Sequence, residues 1–169
     1  CICCTVADDF VPTVEALLDR PDGIDHIIIE TSGLALPKPL LKAFNWPAIR
    51  TRITVDGVVT VVDGPAFADG LFAENPEAIE AQRQADDDLD HDSPLAELFE
   101  DQLACADLVV MNKSDLLAAE DVPQITQDLK DSLGKSVKVI TTQHGAIDAT
   151  TLLGRKLPLR TTWGTGIRT

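Results

Sequence analysis

Four short apolar runs, spaced by segments with helical periodicity, constrain this chain more than any other feature. Residues 27–29 (Ile-Ile-Ile), 58–62 (Val-Val-Thr-Val-Val), 108–111 (Leu-Val-Val-Met) and 136–142 (Ser-Val-Lys-Val-Ile-Thr-Thr) are β-rich, too short for helices, and bounded by turn formers. Continuous rather than alternating apolar character is what a strand buried on both faces requires. Between them lie segments that read as helices: 8–20, 36–44, pieces of 65–85, 95–106, 121–133 and 146–153. Val14, Leu17 and Leu18 recur at helical spacing before Pro21 and Gly23 stop the first. Pro94 suits the first turn of the fourth, and Gly134 suits the end of the fifth. Strands alternating with helices predict an α/β fold, a mostly parallel sheet with helices on both faces. No internal repeat is visible.

In such a sheet, ligands bind beyond the C-terminal ends of the strands. The polar residues delivered there are Glu30, Asp63, Asn112 and the 141–143 segment. A length of 169 residues supports one domain with a sizeable core, and aromatics at 4% make that core aliphatic. The net charge of −14 repels phosphate backbones and anionic membranes, which argues against nucleic acid and membrane partners. No apolar run approaches the roughly 18–20 residues of a membrane span. With four cysteines in no scaffold-like pattern, the expected compartment is reducing and cytoplasmic.

The sharpest motif is Val-Val-Met-Asn-Lys-Ser-Asp at 109–115. An apolar strand delivers Asn112, Lys113 and Asp115 onto one turn. A carboxylate at Asp115 can accept two hydrogen bonds, from N1–H and the exocyclic amine of guanine. Adenine lacks that donor pair and would leave the carboxylate unpaired. Asn112 can brace the loop and reach the N7 side, and the Lys113 stem can lie along the base face. A second motif, Ile-Ile-Ile-Glu-Thr-Ser-Gly at 27–33, ends a strand with an acid and then a glycine turn. Glu30 can hold a Mg²⁺-bound water or orient an attacking water. Gly33 lets a backbone amide approach a γ-phosphate, because no side chain intervenes.

Cys1-Ile2-Cys3-Cys4 opens the chain. Three readings stand: thiolate ligands for a borderline metal such as Zn²⁺ or Co²⁺, a Cys1–Cys4 redox pair, or small buried hydrophobes. Adjacent Cys3 and Cys4 do not readily form an unstrained disulfide. Cys105, on a helix beside Leu103 and Ala104, reads as core. Two further stretches mimic sites. Leu-Gly-Lys-Ser at 133–136 has Leu129 where a phosphate loop needs its first glycine, and it follows a helix. The acidic stretch 86–97 spaces Asp86, Asp88, Asp90 and Glu97 like a calcium loop. It carries His91 where that loop needs glycine, so it reads as a solvated acidic loop.

Together, C-I-C-C, I-I-I-E-T-S-G, D-G-V-V-T-V-V-D and L-F-E-D-Q-L-A-C-A-D-L-V-V-M-N-K-S-D-L-L resemble the CobW-type P-loop GTPases over about residues 1–145. The resemblance implies a P-loop NTPase-like domain that binds GTP and Mg²⁺ and handles a divalent metal. Cys1, Cys3 and Cys4 match the family's metal motif, Glu30 and Gly33 its strand-end acid and glycine, and Asn112, Lys113 and Asp115 its guanine motif. The acidic, histidine-containing loop favours Co²⁺ delivery for cobalamin synthesis, with a client metalloenzyme such as cobaltochelatase. A Zn²⁺-handling GTPase, one serving nickel, a thiol oxidoreductase and a nucleotide-independent metal module are the alternatives. In the family the first strand and the phosphate-binding loop precede the cysteines. The expectation is therefore a partial GTPase domain over 1–155 and a linker over 156–169 towards a further domain. On that view the full-length protein is a GTP hydrolase, and these 169 residues alone are inactive. The guanine carboxylate and the thiols are expected along one edge of the sheet.

Overall fold

The structure, a computed structural model, describes residues 2–85, 95–134 and 136–153, with side chains from Phe10 onward. The element order is α1 (Ile2–Leu18), α2 (Pro37–Ala43), β1 (Val59–Asp63), α3 (Gly64–Ala68), α4 (Pro76–Gln84), α5 (Leu95–Cys105), β2 (Leu108–Asn112), a 3₁₀ turn (Ser114–Leu116), α6 (Val122–Asp131), β3 (Lys138–Thr141) and α7 (Ala149–Leu152). The linker expected over 156–169 lies outside the described residues, as does the acidic stretch 86–94.

The predicted parallel sheet is present, with strand order β1-β2-β3. Val61 pairs with Val110 and Val110 with Ile140, so β2 is central. Its burial follows: Leu108, Val109, Val110 and Met111 are all buried. One face packs a core of Val62, Leu103, Ala106, Val109, Met111 and Leu129, into which α5 and α6 contribute leucines. Burying a Leu or Met side chain contributes about 1.5–3 kcal/mol, so this cluster holds the helices to the sheet.

Local chemistry sets the element ends. Asp63 terminates β1 and caps α3, its Oδ1 accepting from the Ala66 amide at 3.1 Å. Asn75 caps α4 and Asp148 caps α7 in the same way. These caps satisfy amide groups that the first helical turn leaves unpaired. The C-cap of α6 is Ser132, two residues before Gly134.

A second, smaller core joins α1 to the 44–53 loop. Val11 and Val14 bury against Ile49, with Phe10, Leu18, Phe44 and Ile53 around them. Phe10 and Phe44 meet edge to face with centroids 5.2 Å apart.

Two expectations are corrected. Residues 27–29 do not form a buried strand. The segment from 26 to 32 has neither helix nor ladder, and Ile28 is 80% exposed. The 58–62 run does form a strand, but not one buried on both faces: Val59 and Val61 are exposed. The two departures share a cause. A strand exists through its ladder, and β1 is an edge strand whose outer side pairs with nothing among the described residues.

Candidate functional site: a base-recognition turn at the sheet edge

Register alone brings the first polar pair together. Asp63 stands opposite Asn112 at the last rung between β1 and β2, so both emerge at the C-terminal edge of the sheet. Close approach there depends on Gly64. A Cβ at that position would lie 2.9 Å from the Asn112 carbonyl oxygen, closer than real side chains come.

The chain then reverses through Lys113, whose φ of 59° is left-handed. That conformation costs energy for a residue with a Cβ, and it turns Ser114 and Asp115 back towards the strand ends. Compensation comes from the next loop. The Ser114 amide donates to the Thr142 carbonyl at 3.1 Å, and its hydroxyl donates to the same oxygen at 2.9 Å. Thr142 continues the ladder, its amide donating to Met111 O at 2.9 Å, while its buried hydroxyl donates to Ala146 O at 2.8 Å. Asn112 closes the arrangement: its Oδ1 accepts from the Gly145 amide at 3.0 Å. Gly145 sits at φ 66°, a geometry that glycine adopts without a Cβ penalty. The turn after β2 and the loop after β3 are thus one unit.

Lys113 is fixed at its far end. Its ammonium lies 2.7 Å from Asp63 Oδ2 and 3.4 Å from Glu74 Oε2. The hydrogen bond and charge of Asp63, aided by Glu74 and opposed by partial desolvation, hold the Lys113 pKa above the ordinary lysine value of 10.5. An anchored ammonium extends the stem as a flat apolar strip beside the turn.

Asp115 is left differently. Its carboxylate is 27% exposed, and the one ionisable side chain paired with it among the described residues is His144, with Nε2 3.7 Å from Oδ2. At 3.7 Å this is not a hydrogen bond. Two acceptor oxygens therefore remain open at the rim, within one turn of a braced amide and an anchored lysine. Two adjacent acceptors of this kind can take a pair of N–H donors from one planar edge.

The other candidates stand apart from this turn. Glu30 is exposed on the segment that has neither helix nor strand. Gly33 lies in a turn held by α5, where Gln102 Nε2 donates to the Gly33 carbonyl at 2.7 Å and to Ala35 O at 3.1 Å. Gln102 also ties α5 to β1, its backbone carbonyl accepting from the Thr60 hydroxyl at 3.2 Å. A cavity of about 220 Å³ adjoins this turn, walled by Gly33, Val61, Ile79, Leu98, Phe99 and Gln102. No hydrogen bond or ion pair links Glu30 or Gly33 to residues 112–115 among the described residues. Among the described residues the Glu30 carboxylate has no hydrogen-bond or ion-pair partner, whereas Asp63 is spent on Lys113 and α3.

Cys1 lies outside the described residues. Cys3 and Cys4 fall in the first turn of α1, where the backbone alone is described, so the expected thiol cluster and its position relative to Asp115 fall outside them too. Cys105 is buried, as expected of core. Among the described residues no helix is long and apolar enough to cross a membrane.

The sequence points to Asn112, Lys113 and Asp115 but not to Gly145 and Glu74, which support them, nor to Gln102, which holds the Gly33 turn. Gly145 carried a signal, a glycine closing a polar turn after a strand. Glu74 and Gln102 carried none, because their roles depend on tertiary placement.

Comparison with known proteins agrees with the geometry. The model of the CobW/HypB/UreG nucleotide-binding domain matches residues 1–141. The protein named zinc chaperone CobW in a Sinorhizobium species is 54% identical over 154 residues, covering 91% of this chain and 44% of that protein. Its namesake in Pseudomonas aeruginosa is 51% identical over 154 residues, covering 91% of this chain and 41% of that protein. The zinc-regulated GTPase metalloprotein activator 1 of Schizosaccharomyces pombe is 29% identical over 150 residues, covering 88% of this chain and 31% of that protein. The chain thus spans less than half the length of the curated relatives it matches. No solved structure matches it significantly. A family model covering most of the chain, on a parallel sheet that ends in a braced Asn-Lys-Ser-Asp turn, places it in one group: the chain belongs to the CobW/HypB/UreG nucleotide-binding domain family.

Proposed function

We propose that this chain is the guanine-recognising part of a GTP-dependent metallochaperone. The observation that carries the proposal is the turn at 112–115. Asn112 is committed to the loop after β3 and Lys113 to Asp63, while the Asp115 carboxylate is left open. Such a division of labour suits a site that reads a base edge rather than a structural turn, in which every polar group would be spent locally. The whole protein is proposed to hydrolyse GTP. Glu30 would orient water or hold a Mg²⁺-bound water, and the Gly33 amide would meet the γ-phosphate. When bound, Mg²⁺ would neutralise charge on the phosphates.

The cargo is proposed to be Zn²⁺ bound by Cys1, Cys3 and Cys4. Thiolates suit a borderline tetrahedral ion, and two relatives above 50% identity are named zinc chaperones. This shifts the weight from Co²⁺ for corrin, which the sequence alone favours, to zinc. Co²⁺ accepts the same ligand set and is the competitor to test. The client would be a zinc metalloenzyme, or cobaltochelatase if Co²⁺ is the cargo, and the compartment the cytoplasm. Nucleotide and metal would be coupled through loops that order around the γ-phosphate. Equilibrium dialysis of the intact protein against Zn²⁺ and Co²⁺, with GDP and with a non-hydrolysable GTP analogue, tests this. The proposal expects tighter Zn²⁺ retention in one nucleotide state and loss of retention on Cys3→Ser. Equal affinity in both states contradicts the coupling, and preferential Co²⁺ retention contradicts the cargo.

A further inference from the structure

Asp63 stands where a strand, a helix and a long side chain converge. Its backbone forms the last rung between β1 and β2, opposite Asn112. Its Oδ1 accepts from the Ala66 amide at 3.1 Å and so caps α3. Its Oδ2 lies 2.7 Å from the Lys113 ammonium. Lys113 directly follows Asn112, so both ends of this ion pair start from the same rung of the sheet. The usual surface ion pair contributes little, because two long side chains must be ordered to meet. Here the carboxylate is already held by the helix it caps and is only 19% exposed.

The backbone at Lys113 points the same way. Its φ of 59° and ψ of 29° are left-handed, a conformation that glycine or asparagine adopts more readily. The backbone alone would favour one of those residues, so the use of a lysine here lies in its side chain. The head of that side chain is committed to Asp63, with the exposed Glu74 3.4 Å away as a second, weaker contact.

We infer that Asp63 is a positioning residue of the base site: it tethers the Lys113 ammonium so that the four-carbon stem is already laid out when a purine ring arrives. This rests on the guanine reading of the turn. A free lysine side chain occupies many rotamers and loses that freedom when a ring packs on it. A lysine held at its head has lost it already in the folded protein, so ring binding orders nothing further. Asp63 acts through Lys113. Because its other oxygen is bonded to α3, the tether also fixes the stem relative to the sheet.

The two oxygens can be separated by mutation. Asp63→Asn keeps an oxygen for the Ala66 amide, and asparagine caps a helix as well as aspartate does. It places an NH₂ donor against the ammonium in place of Oδ2. Asp63→Ser also caps, but is too short to reach Lys113. Lys113→Met keeps an apolar stem without the charge. Dissociation constants for GDP are measured by calorimetric titration on the intact protein: wild type, these three variants and the double variant Asp63→Asn/Lys113→Met. Freeing one long side chain predicts GDP affinity about two- to tenfold lower in Asp63→Asn and in Asp63→Ser. The double variant should bind as Lys113→Met does, because no ammonium remains to be tethered. Urea unfolding of the nucleotide-free proteins reports the cap separately, and the cycle separates tether from cap whether or not the midpoint moves. Wild-type affinity in both Asp63 variants overturns the inference. So does an Asp63→Asn effect of equal size with and without Lys113, which would mean that Asp63 acts through the fold. Asp115→Asn is run alongside. If it leaves GDP affinity intact, the guanine reading has failed and the inference falls with it. If it abolishes GDP preference while both Asp63 variants bind like wild type, only the inference about Asp63 has failed.

Discussion

Asn112 and Gly145 are 33 residues apart in sequence, yet the side chain of one accepts the backbone amide of the other at 3.0 Å. This bond joins the turn after β2 to the loop after β3 and braces the turn that carries Asp115. Replacing Asn112 by Ala removes the acceptor and leaves the loop held only through Ser114 and Thr142. A net loss of about 0.5–1.5 kcal/mol is expected for the bond. Calorimetric titration of the intact protein with GDP should show affinity reduced by about two- to tenfold. Undiminished affinity in Asn112→Ala would mean the bond does not position the site.

Gly64 tests whether the sheet edge is as tightly built as the register implies. Its missing Cβ leaves room for the Asn112 carbonyl at 2.9 Å, Leu117 Cδ1 at 3.3 Å and Met111 Cγ at 3.4 Å. One contact is backbone within the sheet and cannot swing away. Gly64→Ala is expected to destabilise by about 1–3 kcal/mol, the range for an overpacked core. Urea unfolding followed by circular dichroism measures it. A change below about 0.5 kcal/mol would show that the strand end relaxes freely.

Asp148 supplies a pH signature at the start of α7. Its Oδ1 accepts from the Thr150 hydroxyl and amide, and these bonds hold the carboxyl below its usual 3.8. Because the folded value is the lower one, the cap's contribution is present above pH 3.8. It is lost as pH falls through the depressed folded value. A carbon-detected NMR titration should place the Asp148 midpoint below 3.8, with the Thr150 amide losing protection over the same interval. A midpoint at or above 3.8 would contradict the cap.

What could be read from sequence follows from what each feature needs. Residues 108–115 were legible because everything they require is local: a continuous apolar run for a central strand, then polar residues at fixed spacing. The same holds for α5 and α6, whose apolar faces are written in place, with a proline in the first turn of α6. Ile27, Ile28 and Ile29 were misread because apolar character encodes burial only when a neighbouring strand completes the ladder. Val59 and Val61 face the same condition at the outer edge of β1. Within the site, Lys113 was named for its stem. Its anchoring by Asp63 and Glu74 depends on a loop 39 residues away from it at Glu74, which no local pattern announces.

The central claim is that the Asp115 carboxylate selects guanine, and changing that one group tests it most directly. Asp115→Asn keeps the shape but replaces an acceptor with an amide that donates. Guanine then loses two hydrogen bonds to a charged group, each about 1.5–3 kcal/mol. Xanthine, which carries a carbonyl in place of the amine, gains a matching partner. Dissociation constants for GDP and XDP are measured on intact wild-type and Asp115→Asn protein. The account predicts GDP affinity lower by about 100-fold or more in the variant, with preference reversed to XDP. Unchanged GDP preference in Asp115→Asn would contradict it.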